Sequence, residues 1–175
     1  MFNLEINIAN NNFEKVLQTI GATESQVRTA AVRAINKTAL WVQSKSAREI
    51  SSATKIQLKL IRQKLRVIKA NRSSLKSFIL ANLYGIKASK LGNVKQDASG
   101  ASVAGFRFDG AFVAKMPKSG HTGIFKRKTA KRLPIQEQYV QIEPRASEII
   151  RRNVDFEASE IFMKYFKHEI DYIFQ

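Results

Sequence analysis

The chain has 175 residues, 44% of them apolar, no cysteine and a formal net charge of +16. That length buries a real core, roughly 70% of the unfolded surface, and the lack of cysteine excludes a disulfide framework and a thiolate metal site. No apolar run approaches the ~18 residues of a membrane-spanning helix, and Met1–Ala9 has neither the basic start nor the apolar run of a signal peptide. The charge is unevenly placed. Residues 1–24 carry a net −2, residues 136–175 a net −3, and residues 25–135 hold 24 basic against three acidic side chains, a net +21. A middle this basic needs a partner that offsets its self-repulsion: DNA, RNA, an acidic protein surface, or acidic segments of a neighbouring copy.

Phe2, Leu4, Ile6 and Ile8 alternate with polar or small residues and read as a half-buried strand. Asn10–Asn12 end it, and a short helix over Phe13–Ile20 closes at Gly21. A long helix then runs from Thr23 to about Ile50, capped by Thr23 or Ser25, with Glu24 suited to its first turn. Its apolar stripe is Val27, Ala31, Ala34, Ile35, Thr38, Trp41 and Val42, and Trp41 reads as a core residue. Arg33, Lys37 and Arg48 fall on the opposite side, either as a nucleic-acid or partner surface or as an ordinary solvated face. Ser51, Ser52 and Thr54 should interrupt the helix, and a shorter one follows around Ile56–Arg62. Residues 64–70 and 75–83 make an antiparallel pair joined at Asn71–Ser74. Residues 85–105, with four glycines among Ser, Lys and Asn, read as a long mobile loop or a frayed hairpin.

The stretch from Gly110 to Tyr139 is the most legible. Two β-favouring runs, Ala111–Ala114 and Ile124–Phe125, flank Met116–Gly123 with its Pro and Gly, which predicts a hairpin with a loop longer than two residues. Lys115, Lys118, Lys126, Arg127, Lys128, Lys131 and Arg132 give it seven positive charges, with no acid between Asp109 and Glu137. These are candidate DNA- or partner-contacting residues; the plain alternative is a solvated loop. Tyr139, Val140 and Ile142 finish a last strand, and Pro144 opens a last helix with a wide apolar band from Ile149 to Ile173. That band either packs wholly inside the subunit or partly faces another one.

The wording Gly-Ala-Phe-Val-Ala-Lys-Met (110–116), Lys-Ser-Gly-His-Thr-Gly-Ile-Phe-Lys-Arg (118–127) and Leu-Pro-Ile-Gln-Glu-Gln-Tyr (133–139) resembles the minor tail protein Z family of long-tailed phages and prophages. So does Ala30-Ala31-Val32-Arg33-Ala34-Ile35-Asn36-Lys37-Thr38-Ala39 upstream, and the likeness covers most of the chain. The resemblance implies a structural tail-completion protein in one domain over residues 1–175. It would act late in assembly at the head-proximal end of the tail, in head–tail joining and DNA passage. The expected fold is α+β, a small antiparallel sheet packed against the long N-terminal-half helix and a C-terminal helix, in a subunit suited to a homo-oligomeric ring. Its partners would be other tail and neck proteins, with DNA touched weakly and non-specifically. It would reside in the virion tail, and in the host bacterial cytoplasm during assembly. The competing reading is a stand-alone basic nucleic-acid-binding domain, although no helix-turn-helix, zinc-finger or RNA-recognition signature is present.

The search for chemistry is negative, and neither an enzyme nor a cofactor is expected. Gly105 and Gly110 have Walker spacing, but Ala111 stands where the phosphate lysine belongs. His121 and His168 are the only histidines, and no zinc-binding pattern includes them. His121 as a base has no evident nucleophile beside it. Asp97 and Asp109 are a poor pair for metal-dependent nuclease chemistry.

Overall fold

The computed structural model describes residues 23–173. The strand at Phe2–Ile8 and the helix at Phe13–Ile20 lie outside the described residues. Helix α1 spans Glu24–Thr54 and starts from a capping box. Thr23 Oγ1 accepts from the Gln26 amide at 3.4 Å, and the Gln26 side chain accepts from the Thr23 amide at 2.9 Å. Its buried stripe holds Val27, Ile35, Val42 and Ile50 with the alanines at 30, 31, 34, 39 and 47. The helix does not stop at Ser51. Thr54 turns its hydroxyl back to the Ile50 carbonyl at 2.7 Å, and Ser51 Oγ donates to the Ile56 carbonyl at 2.6 Å. Hydroxyls that compete with the helix when unplaced here bond within and just beyond its last turn, and the left-handed Lys55 (φ 56°) ends it.

Helix α2 (Leu58–Arg62) leads into the antiparallel hairpin β1 (Leu65–Ile68) and β2 (Phe78–Ala81), as expected. The Asn71 side chain shapes the connecting turn by accepting from the Ser73 and Ser74 amides. Two amide side chains of α1 tie the hairpin down. Asn36 bonds both the amide and the carbonyl of Ala70, and Gln43 donates to the Leu65 carbonyl at 2.7 Å.

Residues 85–105 form the hairpin alternative, and more, in place of a long loop. They contain β3 (Ile86–Lys87), a 3-10 turn (Ala88–Lys90), β4 (Lys95–Asp97) and β5 (Gly100–Val103). β4, β5 and β6 (Phe106–Asp109) make a three-stranded antiparallel sheet. Ala104 and Gly105, both at positive φ (49° and 83°), supply a two-residue turn whose twist matches its strands. Asp97 closes the preceding turn by accepting from the Ser99 and Gly100 amides. Arg107 grips Asp97 with two bonds of 3.0 and 3.2 Å and reaches Asp109 at 2.9 Å. The hydrogen bond to Arg107, with those from Ser99, holds the Asp97 carboxyl well below its ordinary pKa. Gly100 is required by space: a Cβ there would lie 2.3 Å from the Phe108 carbonyl oxygen.

β7 (Ala111–Lys115), β8 (Thr122–Arg127) and β9 (Ile135–Glu137) form a second three-stranded sheet, and β10 (Tyr139–Val140) pairs with β3. Among the described residues the β content is therefore four small antiparallel sheets around one apolar cluster that includes Ile50, Ile61, Ile124, Ile142 and Ile150. The last helix is interrupted. α3 (Arg145–Arg152) passes through a π turn at Asn153–Glu157 into α4 (Ala158–Ile173). The π turn points the fully buried Asn153 at α1, where its amide donates to Ser46 Oγ (3.1 Å) and Glu49 Oε2 (2.9 Å).

The predicted apolar band thereby splits. Ile149 and Ile150 join the sheet-side core, while Phe162, Phe166 and Ile170 pack on the alanine stretch of α1. Trp41 is only half-buried, with the Lys45 ammonium 5.1 Å above its ring.

Two outcomes are expected. Gly100→Ala forces the β5–β6 ladder apart and costs about 1–3 kcal/mol, so calorimetry should show Tm falling by about 2–12 °C. The second concerns Glu169, 6% exposed on α4, which faces Lys37 and Arg33 of α1. Burial raises its pKa, but the Lys37 ammonium and Arg33 guanidinium outweigh that and hold it below the ordinary carboxylate value. A depressed folded-state pKa adds stability above the unfolded value near 4.5 and loses it as pH falls toward the folded one. Glu169→Gln should cost about 1–3 kcal/mol near pH 7 by chemical denaturation. The gap from the parent chain should close as the pH drops below about 4.

Candidate functional site

The basic hairpin is built on an apolar ladder. Phe112 faces Phe125 across β7 and β8, Val113 faces Ile124, and Lys115 faces Thr122 at the loop end. Ile124 and Phe125 are buried, which anchors β8 to the core. In the loop the Met116 amide donates to the His121 carbonyl at 2.7 Å, and the Gly120 amide donates to the Met116 carbonyl at 2.9 Å.

One carboxylate fastens this sheet to the next. Glu137 of β9 accepts from Lys87 of β3 at 2.8 Å and from the Tyr139 hydroxyl at 3.3 Å, and His121 Nε2 lies 2.6 Å from its other oxygen. Burial raises the Glu137 pKa, yet Lys87 and His121 outweigh it and the net direction is down. The same hydrogen bond raises the Lys87 pKa. This is a clamp between loop, sheet and β3, with His121 part of it. Among the described residues no group of three His, Cys, Asp or Glu is arranged to hold a metal ion.

The structure divides the seven predicted hairpin cations into two sets. Lys115 and Lys118 lie at the loop end. Lys126, Arg127, Lys128, Lys131 and Arg132 lie at the other end, four ladder steps or about 14 Å away. All seven are exposed. Arg127 lays its guanidinium 5.1 Å from the Phe112 ring and donates to the Arg132 carbonyl at 3.0 Å, so it also shapes the β8–β9 turn. None of the other six has a carboxylate partner among the described residues.

Two of the three cations predicted on α1 are engaged inside the subunit. Arg33 and Lys37 hold the buried Glu169 across the α1–α4 seam while staying about half exposed. Arg48 is exposed and donates to the Ser44 carbonyl at 3.2 Å.

Sequence reasoning missed another basic group. Lys64, Arg66 and Lys90 line cavities beside Tyr84 and Tyr139. They come together only because α2 turns into β1 next to the β2–β3 connection. The available signal was a Tyr at 84, just before Gly85 at the end of the predicted β2 strand.

The family model of prophage minor tail protein Z matches residues 13–175. A tail completion protein of Escherichia phage N15 is 27% identical over 135 residues, which cover 70% of this chain and 73% of that protein. No solved structure matches. With nearly its whole length under that model, the chain belongs to the prophage minor tail protein Z family.

Proposed function

We propose that the chain is a structural subunit of a phage tail that completes its head-proximal end, readying it for head–tail joining and DNA passage. The observation that carries this reading is the family match over residues 13–175, and the name of the phage N15 relative supports the completion step. In this reading the subunit forms a homo-oligomeric ring, meets other tail and neck proteins, assembles in the host cytoplasm and stays in the virion.

The hairpin supports a role at a charged boundary. Six exposed cations without carboxylate partners, on a sheet rigidly clamped through Glu137, present a fixed positive field. Facing a channel, such a field favours DNA without holding it, since phosphate contacts made by exposed lysines are weak and fall steeply with salt. Facing a neighbouring subunit, it steers acidic surfaces into register.

Lys126, Lys128 and Lys131 are exposed, so replacing all three with Gln leaves the core intact. In an induced prophage carrying this gene, the triple variant should be made at normal levels. Tails should form, and their joining to filled heads, counted as infectious particles, should fall by about tenfold or more, as expected when several phosphate or carboxylate contacts are lost together. Normal yields from the triple variant would contradict a role for the hairpin in joining or DNA passage.

A further inference from the structure

Three cavities on the described surface share their walls. The first, about 560 Å³, lies against Lys64, Arg66 and Tyr84. The second, about 390 Å³, shares Lys64 and Tyr84 with it and continues past Lys90 to Tyr139. The third, about 230 Å³, shares Tyr139 and runs on to Lys126 and Lys128. Through Lys64 and Tyr84 the first adjoins the second, and through Tyr139 the second adjoins the third, so the three follow one another as a groove from the end of the β1–β2 hairpin toward the basic end of β8.

Its lining is chemically selective. Tyr84 is 83% exposed and Tyr139 41%, so two aromatic faces stand open along the track. The Lys64 ammonium donates to the Tyr84 carbonyl at 3.2 Å, which fixes the backbone that carries the ring. Lys64, Lys90 and Lys128 have no carboxylate partner among the described residues. Of the two carboxylates on the walls, Glu137 is occupied by Lys87 and His121, and Glu143, which lines the first cavity with Lys64, Arg66 and Tyr84, accepts from Ser147 Oγ at 3.4 Å. Burial, and then the nearby Lys90, lower the Lys64 pKa.

Open aromatic faces alternating with cations match a chain of phosphates bearing flat bases. A duplex hides its base faces, so stacking selects a single strand. An acidic protein segment fits less well, because lysine is depleted in protein–protein interface cores whereas it serves phosphate as a point charge. We propose that this groove binds single-stranded nucleic acid, with bases stacked on Tyr84 and Tyr139 and phosphates held by Lys64, Lys90 and Lys128. This is a built site in the subunit itself, and it stands or falls apart from the role in tail completion.

The test is fluorescence anisotropy on the purified full chain with labelled oligothymidine of about 12 nucleotides, inside the usual range of single-strand sites. A duplex of the same length and poly-glutamate serve as competitors. The single strand should bind about tenfold or more tighter than the duplex. Tyr84→Ala should weaken it about fivefold or more, and Tyr84→Phe should retain it, because the ring alone supplies the stacking. Lys64→Gln with Lys90→Gln should lower the slope of log affinity against log salt by about 1.4. Tyr84 is exposed, so an unchanged thermal melt verifies that its variants fold. Duplex binding as tight as single-strand binding, or indifference to Tyr84→Ala, overturns the proposal. So does tighter binding of poly-glutamate, which would assign the groove to an acidic protein segment.

Discussion

The close seam between α1 and α4 is the contact on which the described structure depends. Ala30, Ala31 and Ala34 carry no bulk beyond Cβ, so the rings of Phe162 and Phe166, stacked at 5.5 Å, press directly onto the helix. Glu169 then locks the register by reaching Lys37 and Arg33. A 31-residue helix is about 46 Å long, and α1 uses that length to carry separate attachments. Asn36 and Gln43 hold the β1–β2 hairpin, while Ser46 and Glu49 receive Asn153 from the π turn. The β1–β2 hairpin is thus referred to α1, while the other small sheets meet the end of that helix in the shared apolar cluster that holds Ala47 and Ile50.

Scarcity of carboxylates explains how the charge is arranged. Between residues 25 and 135 there are three acids, and all are used inside the subunit. Asp97 and Asp109 hold Arg107, and Glu49 serves Arg152, Lys45 and Asn153. Glu137, just beyond, binds Lys87 and His121. Among the cations left without a carboxylate are those of the β8–β9 edge and of the groove past Tyr84. Repulsion among these groups is tolerable in an isolated subunit because dissolved salt at physiological strength screens exposed charges over about 8–10 Å. It becomes a driving force once a polyanion or an acidic neighbour approaches.

Much of this was legible from local pattern. Helix α1, the β1–β2 pair and the β7–β8 hairpin follow from hydrophobic period and turn residues, which act over a few positions. Where the reading failed, the deciding contact was distant. Residues 85–105 look loop-like because glycine is frequent, yet Gly100 is there to let β6 approach, and Ala104–Gly105 makes a tight turn. Arg33 and Lys37 read as a partner surface or a solvated face, and their intramolecular partner Glu169, over 130 positions later, is not visible in the local pattern. The π turn at Asn153 answers to Ser46 and Glu49 on another helix and leaves no trace in the local period. The hairpin cations stand adjacent in sequence and could be read there; those beside Tyr84 come together only on folding.

Electron cryomicroscopy of tails that contain this chain tests the central claim most directly. The account predicts a ring of density for it at the head-proximal end, with the β8–β9 basic edge and the Tyr84 groove turned toward the lumen or a neighbouring subunit. Density elsewhere along the tail, absence from the finished tail, or a basic edge facing open solvent would contradict it.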